Sequence, residues 1–435
     1  MRGLTSALEK MDMYGPTGSL NETLLEVGEC SRMFDEADRE LSALESVLDN
    51  AEKAINHLRS LRSTINEHGI SRPMMLAADP KEELVKLRIV GSYESLGAVQ
   101  GPADDVVAKL DQTITESLEK VTGYLKIFKS YLKKYFDAIS RGFKGYMKAI
   151  TSSVQKMNAA GLDDKTIAST KVKAIAKDDF MKVIDSTLGL VNMFKKGALG
   201  SALEQIVKTI EDEVAIDREG RIVGPKKGSQ ADIGKIIKTA KGVREAFFKD
   251  VKKFDQELTG IAIDESFDFD ETRSDDVDIR ISGFPFDKVK SELGKLGWKR
   301  NDITKAADGT KAILKAVDEL DSAVKKTAGN LEKIEASVSG YKWAVILAFV
   351  GALLLTPAMV PILGIVLGFI IGVNIDRGQV AAKLRVDKQD IDALARELAN
   401  VRWILQSTYY GIRASYINAQ NLSNMIISIS KAAAK

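Results

Sequence analysis

Apolar side chains recur every three or four positions through much of this chain, which predicts long amphipathic helices that pack as coiled coils or bundles. The first such run starts at Phe34 and ends before Gly69 and Pro73. Two further heptad arms lie in the last third of the chain, at residues 301–342 and 376–435. The pattern predicts a mainly α fold of long coiled-coil or bundle helices.

The two late heptad arms flank an apolar segment, residues 343–375, which contains no charged side chain over thirty-three residues. As one helix it would be about 50 Å long, well over the roughly 30 Å of a bilayer's hydrocarbon core. Pro357 and Pro361 interrupt it, because each removes a backbone donor and clashes with the preceding helical turn. The segment is therefore predicted to form an apolar helical hairpin with two arms of about 21 Å each.

Small residues recur at every fourth position on both arms of the predicted hairpin. Such faces let helix backbones approach closely in an apolar medium, and an interfacial tryptophan would mark the membrane boundary. The candidate membrane-hairpin residues are Trp343, Ala344, Ala348, Ala352, Pro357, Pro361, Gly364, Gly368 and Gly372. The alternative to membrane contact is a hairpin that packs only against protein, as an ordinary core element.

The middle of the chain carries two weaker patterns. Residues 121–213 predict an amphipathic helical region, in which an aromatic stripe between residues 124 and 146 is surrounded by basic side chains. The stripe predicts the core face of a bundle helix, and an anionic membrane or nucleic-acid surface is the alternative. Residues 214–300 predict a small α+β insert, because residues 214–225 alternate around a Glu-Gly turn as in a β-hairpin.

Charge and the reactive side chains limit the chemistry that we expect. The chain carries 63 Lys and Arg against 61 Asp and Glu, and a net charge of +2 favours neither a nucleic-acid coat nor an acidic tail. Its only histidines are His57 and His68, and Cys30 is its single cysteine. A histidine-based triad, a zinc site and an internal disulfide are therefore not expected. We predict no catalytic residue, no metal site and no cofactor, and a protein that is not an enzyme.

A short block after the first heptad run resembles a known family. It follows an acidic helical stretch and comprises His68-Gly69-Ile70-Ser71, Met74-Met75, Ala77, Asp79-Pro80 and Glu83-Leu84. With this block, roughly the first hundred residues resemble the N-terminal region of internal head proteins of large tailed bacteriophages. The apolar hairpin is not a feature that we associate with the region shared by that family.

The resemblance implies a virion structural protein that is packed inside the head. Residues 1–120 would be a helical leader or propeptide, removed by a phage maturation protease that cuts after glutamate with a small residue two positions before. Glu94 and Glu119 fit this pattern and are the candidate cleavage sites. The implied partners are that protease and other capsid or scaffold proteins, within a homo-oligomer or larger assembly; DNA contact stays open.

Two functional hypotheses follow. In the first, the chain is made in the host cytoplasm, since its first twenty residues lack the apolar core of a secretory signal, and is then stored in the virion interior. Ejection with the DNA would bring its hairpin to the host membrane. In the second, it is an α-helical pore-forming or membrane-remodelling protein whose heptad arms conceal the hairpin until it is released.

Overall fold

The structure is a computed structural model that describes much of the chain after residue 103 and parts of the region before it. The described positions are 28, 31–32, 35–48, 50, 58, 61–62, 64–66, 69, 103–196, 198–217, 222–251, 286–331, 350, 354, 362, 369–370, 373 and 377–435. Most of them are helical, and short β-strands supply a minor component. The predicted mainly α fold with a small β part is confirmed.

The chain divides into two compact units. The smaller unit comprises residues 35–135 and 340–345, and the larger unit comprises residues 1–34, 136–339 and 346–435. Helix α1 (Ala103–Ala159) contributes residues to both.

In the smaller unit, the first heptad run is helical over residues 35–48. Leu41 and Leu48 on this run are buried, as heptad spacing predicts for core positions. Phe128, from the part of α1 that belongs to this unit, is also fully buried. The heptad positions therefore form part of a helical core.

Helices build the larger unit around a central helix. They are the last part of α1, α2 (Asp164–Ser169), α3 (Lys177–Lys196), α4 (Ala198–Glu213), α5 (Ile233–Val251), α6 (Arg300–Leu331), α7 (Arg377–Leu384) and α8 (Lys388–Ala432). Helices α3, α5, α6 and α7 all pack against α8, and α4 packs against α5. Helix α8 is therefore the core of this unit.

The two heptad arms that flank the apolar segment correspond to α6 and α8. The apolar heptad positions Ile313, Val317 and Leu320 on α6 are buried, and so are Ile391 and Leu394 on α8. The two helices pack against each other. The described parts of the two arms therefore pack together, while the hairpin predicted between them stays a prediction.

Helices α1 and α6 run antiparallel in a fixed register. The Ser140 hydroxyl donates to Asp318 Oδ1 at 2.7 Å, and the Arg300 guanidinium donates to the Asn158 carbonyl at 2.7 Å. The two contacts are separated by eighteen residues on each helix (158 minus 140, and 318 minus 300). Equal spacing in opposite directions means that the helices are antiparallel, with their two polar contacts about 27 Å apart along the helix axis.

The aromatic stripe predicted within residues 121–213 lies mainly in the protein core. Phe143 and Tyr146 are buried, and the Phe143 ring meets the Tyr416 ring of α8 edge to face at 6.0 Å. Lys144 and Lys148 of the same helix are exposed. This arrangement favours the bundle-core interpretation of the stripe over the surface interpretation.

Two small antiparallel sheets flank the helices. Strand β1 (Lys171–Ala174) pairs with β4 (Val289–Glu292), and β2 (Val214–Ile216) pairs with β3 (Ile222–Pro225). The second pair is the predicted hairpin. Strand β1 was not predicted, because its four residues are too short to show a period and its partner lies more than a hundred residues later. The acidic stretch 261–286, apart from residue 286, lies outside the described residues.

Trp298 anchors the connection from β4 to α6. It is fully buried, its Nε1 donates to the Ile175 carbonyl at 3.0 Å, and its ring packs edge to face on Phe180 at 5.2 Å. The indole therefore fixes the start of α6 against the start of α3.

Helix α8 is buried along most of its length and yet carries many small polar side chains. Three of its buried hydroxyls donate to the carbonyl four residues earlier in the same helix, at 2.9, 2.9 and 2.6 Å for Thr408, Ser415 and Ser423. Asn418 instead reaches α3, where its Nδ2 donates to Thr187 Oγ1 at 3.3 Å. Most of these hydrogen bonds thus stay inside the helix.

Candidate functional site

The apolar segment is buried at four of the six positions that the structure describes, and half-buried at Leu354 and Ile362. Six of its residues are described, and all six are helical. Val350, Phe369 and Val373 are 0% exposed and Ile370 is 3% exposed. Because water is excluded from these four side chains, they belong to the protein core in this state.

The backbone of α4 meets the apolar segment at Gly200. A Cβ added to Gly200 would lie 2.6 Å from the carbonyl oxygen of Leu354 and 3.7 Å from its carbonyl carbon. The obstructing atom belongs to the backbone, so no side-chain rotation can make room. This close approach, which we call the Gly200 contact, places the backbone of Leu354 in the apolar segment directly against α4.

The local sequence of α4 explains this contact. Four of the first five residues of the helix are small, namely Ala198, Gly200, Ser201 and Ala202, while Leu199 between them is buried. Further along, Leu203, Ile206 and Ile210 are buried on one face. Helix α4 can therefore approach another backbone closely at its start while its longer side chains reach the core.

A charged pair fixes the other end of α4. Lys235 Nζ, from the first turn of α5, lies 2.7 Å from Glu213 Oε1. The hydrogen bond to Glu213 raises the pKa of Lys235, against a smaller opposing effect of burial. Lys226 Nζ also donates to the Glu211 carbonyl at 2.7 Å. Helix α4 is thus held at its C-terminal end while its N-terminal turn carries the Gly200 contact.

Helix α7 begins two residues after the apolar segment ends. Its Val380 and Leu384 side chains are buried, and it packs against both α8 and β3. Arg377 Nη1 lies 3.3 Å from Asp392 Oδ1 of α8. The chain therefore reverses direction between α7 and α8, and α7 connects the C-terminal end of the apolar segment to the central helix.

The turn between α7 and α8 contains a residue in a conformation that usually selects glycine. Arg385 has φ 59°, and it is the only non-glycine residue with positive φ in the described part of the chain. The amide of Val386 donates to the Ala381 carbonyl at 3.1 Å, which completes a Schellman-type helix end. A non-glycine residue in this region costs about 1–2 kcal/mol.

The candidate membrane-hairpin residues of the sequence analysis and Glu94 all lie outside the described residues. Glu119 is exposed and helical, within α1. The boundary predicted near residue 120 therefore falls inside a continuous helix. A protease that needs an extended substrate would have to open this helix locally before it could cut after Glu119.

The sequence analysis missed Gly200 and Arg385. The run of small residues in α4 was the available signal for Gly200, but its partner Leu354 lies more than 150 residues later. No local pattern marks Arg385, because arginine is not typical of a left-handed position. Both residues are recognisable only from the tertiary arrangement.

Within the described residues, no group of three or more histidine, cysteine, aspartate or glutamate side chains could hold a metal ion. Among the helices of those residues, none combines the length and apolar character required to cross a bilayer. Comparison with protein-family models, with curated proteins and with solved structures finds no match for this chain. The resemblance to phage internal head proteins stays a prediction.

Proposed function

We propose that this chain is an α-helical membrane-inserting protein that stores an apolar hairpin against its own core and releases it at a membrane. The observation that carries the proposal is the Gly200 contact, which places Leu354 of an uncharged segment of thirty-three residues against α4. The proposal corresponds to the step that the two functional hypotheses share, namely entry of the hairpin into a bilayer.

The physical argument concerns where the apolar segment can reside. Its apolar side chains favour a dry environment, and four of the six described ones reach it by packing within the larger unit. A bilayer offers an equally apolar environment, in which small residues and helical hydrogen bonds are compatible with burial. Release therefore moves the segment from the protein core into the apolar interior of the bilayer. The equilibrium between the docked and the inserted state depends on how well the docked state packs.

The contact at Gly200 offers a direct way to shift that balance. In Gly200→Ala the new Cβ must displace the Leu354 backbone, so the docked state is weakened while helix α4 itself gains helix propensity. We expect purified Gly200→Ala protein to bind phosphatidylcholine–phosphatidylglycerol vesicles and release an entrapped dye several-fold faster than the wild type. Vesicle flotation and dye-leakage rates measure the two effects.

Gly242→Ala is the matched control. Gly242 lies in α5 and an added Cβ there has no atom within 4 Å. This variant should bind and permeabilise vesicles as the wild type does. The proposal fails if neither the wild type nor Gly200→Ala floats with vesicles, or if both alanine variants change leakage equally.

A second candidate function concerns where the protein acts. The block from His68 to Leu84 favours a virion structural protein that is stored inside a phage head with capsid or scaffold proteins, cleaved during maturation and ejected with the genome. Mass spectrometry of purified virions tests it. The chain should be present in heads with its N-terminus after Glu94 or Glu119, and its absence from heads would refute this candidate.

A further inference from the structure

We infer that the turn between α7 and α8 is a conformational switch, which straightens into one continuous helix from residue 377 to residue 432 when the apolar segment leaves its dock. This inference rests on the proposed function and specifies how the release of the hairpin is transmitted to the core. The evidence lies in the turn itself and in the contacts that hold α7.

The turn ends α7 with a Schellman-type pair of hydrogen bonds, but it has no glycine, no proline and no side-chain N-cap to enforce a corner between the helices. Arg385 takes the left-handed position where glycine is preferred. Asp387, the N-cap residue of α8, makes no side-chain capping hydrogen bond. Residues 376–435 contain no proline. Because only residues 385–387 separate the two helices, this sequence is compatible with an uninterrupted helix as well as with the turn.

Straightening would move the C-terminal end of the apolar segment a large distance relative to α8. Arg377 and Asp392 now touch across the turn at 3.3 Å. In a continuous helix the same residues are fifteen positions apart, which corresponds to about 22 Å. Helix α7 would therefore continue the axis of α8, and the C-terminal end of the apolar segment would move away from Asp392.

The contacts that hold the turn include the Arg377–Asp392 pair, burial of Val380, Ala381 and Leu384, packing of α7 on β3, and a 3.3 Å hydrogen bond from the Ala231 amide to the Leu384 carbonyl. Helix α7 starts two residues after the segment, so movement of the segment pulls directly on these contacts. Their loss removes what keeps Arg385 in its unfavourable conformation, and the helical state becomes preferred.

A distance measurement tests the straightening itself. Spin labels are placed at Gln379→Cys and Arg396→Cys in a Cys30→Ser background of the full chain. A continuous helix separates these positions by about 26 Å, whereas the turn brings them to about half that distance. We expect double electron–electron resonance to measure the short distance in solution and the long distance after the addition of phosphatidylcholine–phosphatidylglycerol vesicles.

Two substitutions at the turn should act in opposite directions. Arg385→Gly favours the turn, because glycine adopts positive φ without strain, and should slow vesicle-induced straightening roughly fivefold. Asp387→Ala favours the continuous helix through its higher propensity and should accelerate it roughly twofold to threefold. Ser428→Gly is the matched control, since residue 428 is an exposed interior position of α8 far from the turn in both states, and the rate should not change.

The outcomes separate this inference from the proposed function. If vesicles are bound and permeabilised but the distance between residues 379 and 396 stays short, the switch is wrong and membrane insertion stands. If neither binding nor leakage occurs, the proposed function fails and the switch fails with it. Equal rates for the Arg385→Gly and Asp387→Ala variants would also refute the switch.

Discussion

At the scale of single residues, a few side chains or missing side chains decide how the elements meet. Trp298 joins the starts of α3 and α6 through one hydrogen bond and one ring contact. Gly200 acts through the absence of a side chain, since it lets two backbones touch. Each of these residues influences contacts between elements that are far apart in the sequence.

Lys431 near the end of α8 gives a prediction for pH dependence. Burial, followed by the nearby charges of Lys156 and Lys435, lowers its pKa below the usual 10.5. The unfolded chain binds this proton more tightly, so the lysine opposes folding below its folded-state pKa, and this penalty disappears as pH rises towards 10.5. We expect Lys431→Met to increase the free energy of unfolding at pH 7 and to give little gain near pH 10.5.

Urea unfolding at the two pH values measures this effect. Lys148→Met is the control, because Lys148 is exposed on α1 and its replacement removes one positive charge without relieving burial. An equal gain at both pH values, or the same gain in the control, would contradict the explanation.

At the scale of elements, the register between α1 and α6 depends on polar contacts at both ends of the shared interface. Ser140→Ala leaves Asp318 without the hydroxyl that now donates to it. Loss of a hydrogen bond to a charged group should reduce the free energy of unfolding by about 1–2 kcal/mol. Thr151→Ala is the control, since that exposed hydroxyl bonds only to Met147 of its own helix, and it should change stability by less than about 0.5 kcal/mol.

The docking of the apolar segment gives a second prediction at this scale. Gly200→Ala should destabilise the folded protein by about 1–3 kcal/mol, because overpacking against the Leu354 backbone outweighs the gain in helix propensity. Gly242→Ala should stabilise it by up to about 1 kcal/mol, because nothing obstructs the new methyl group. Opposite signs in thermal or urea unfolding are the expected result, and the same sign in both would contradict the contact.

The elements that the sequence predicts well are those whose pattern is local and long. Heptad spacing predicts α6 and α8 and their buried faces, and the alternation around a Glu-Gly turn predicts the β2–β3 hairpin. Strand β1, Gly200 and Arg385 could not be predicted, because each is defined by a partner or a turn that the local sequence does not indicate. The candidate hairpin residues were chosen from a pattern alone, and their own packing lies outside the described residues.

At the scale of the whole molecule, the question is whether the apolar segment contributes to the stability of the protein before it meets a membrane. Phe369 is completely buried in the larger unit. If its ring is part of the folded core, Phe369→Ala should lower the free energy of unfolding by about 3–5 kcal/mol. A segment that rested only on lipid would lose almost nothing in a lipid-free buffer.

Urea unfolding of the purified chain in the absence of lipid and detergent makes this measurement. Val223→Ala is the comparison, since Val223 is 63% exposed and its truncation should cost less than about 0.5 kcal/mol. A loss below about 1 kcal/mol for Phe369→Ala would mean that the segment is not part of the stable core.

The hydroxyls of α8 have a consequence for how freely this helix can change neighbours. Thr408, Ser415 and Ser423 are already satisfied by their own backbone. If α8 packs against other helices or against acyl chains, these hydroxyls need no new acceptor, and no acceptor on a former neighbour loses its donor. An exchange of neighbours would therefore cost α8 none of these three hydrogen bonds, whereas the bond from Asn418 to Thr187 of α3 would be lost.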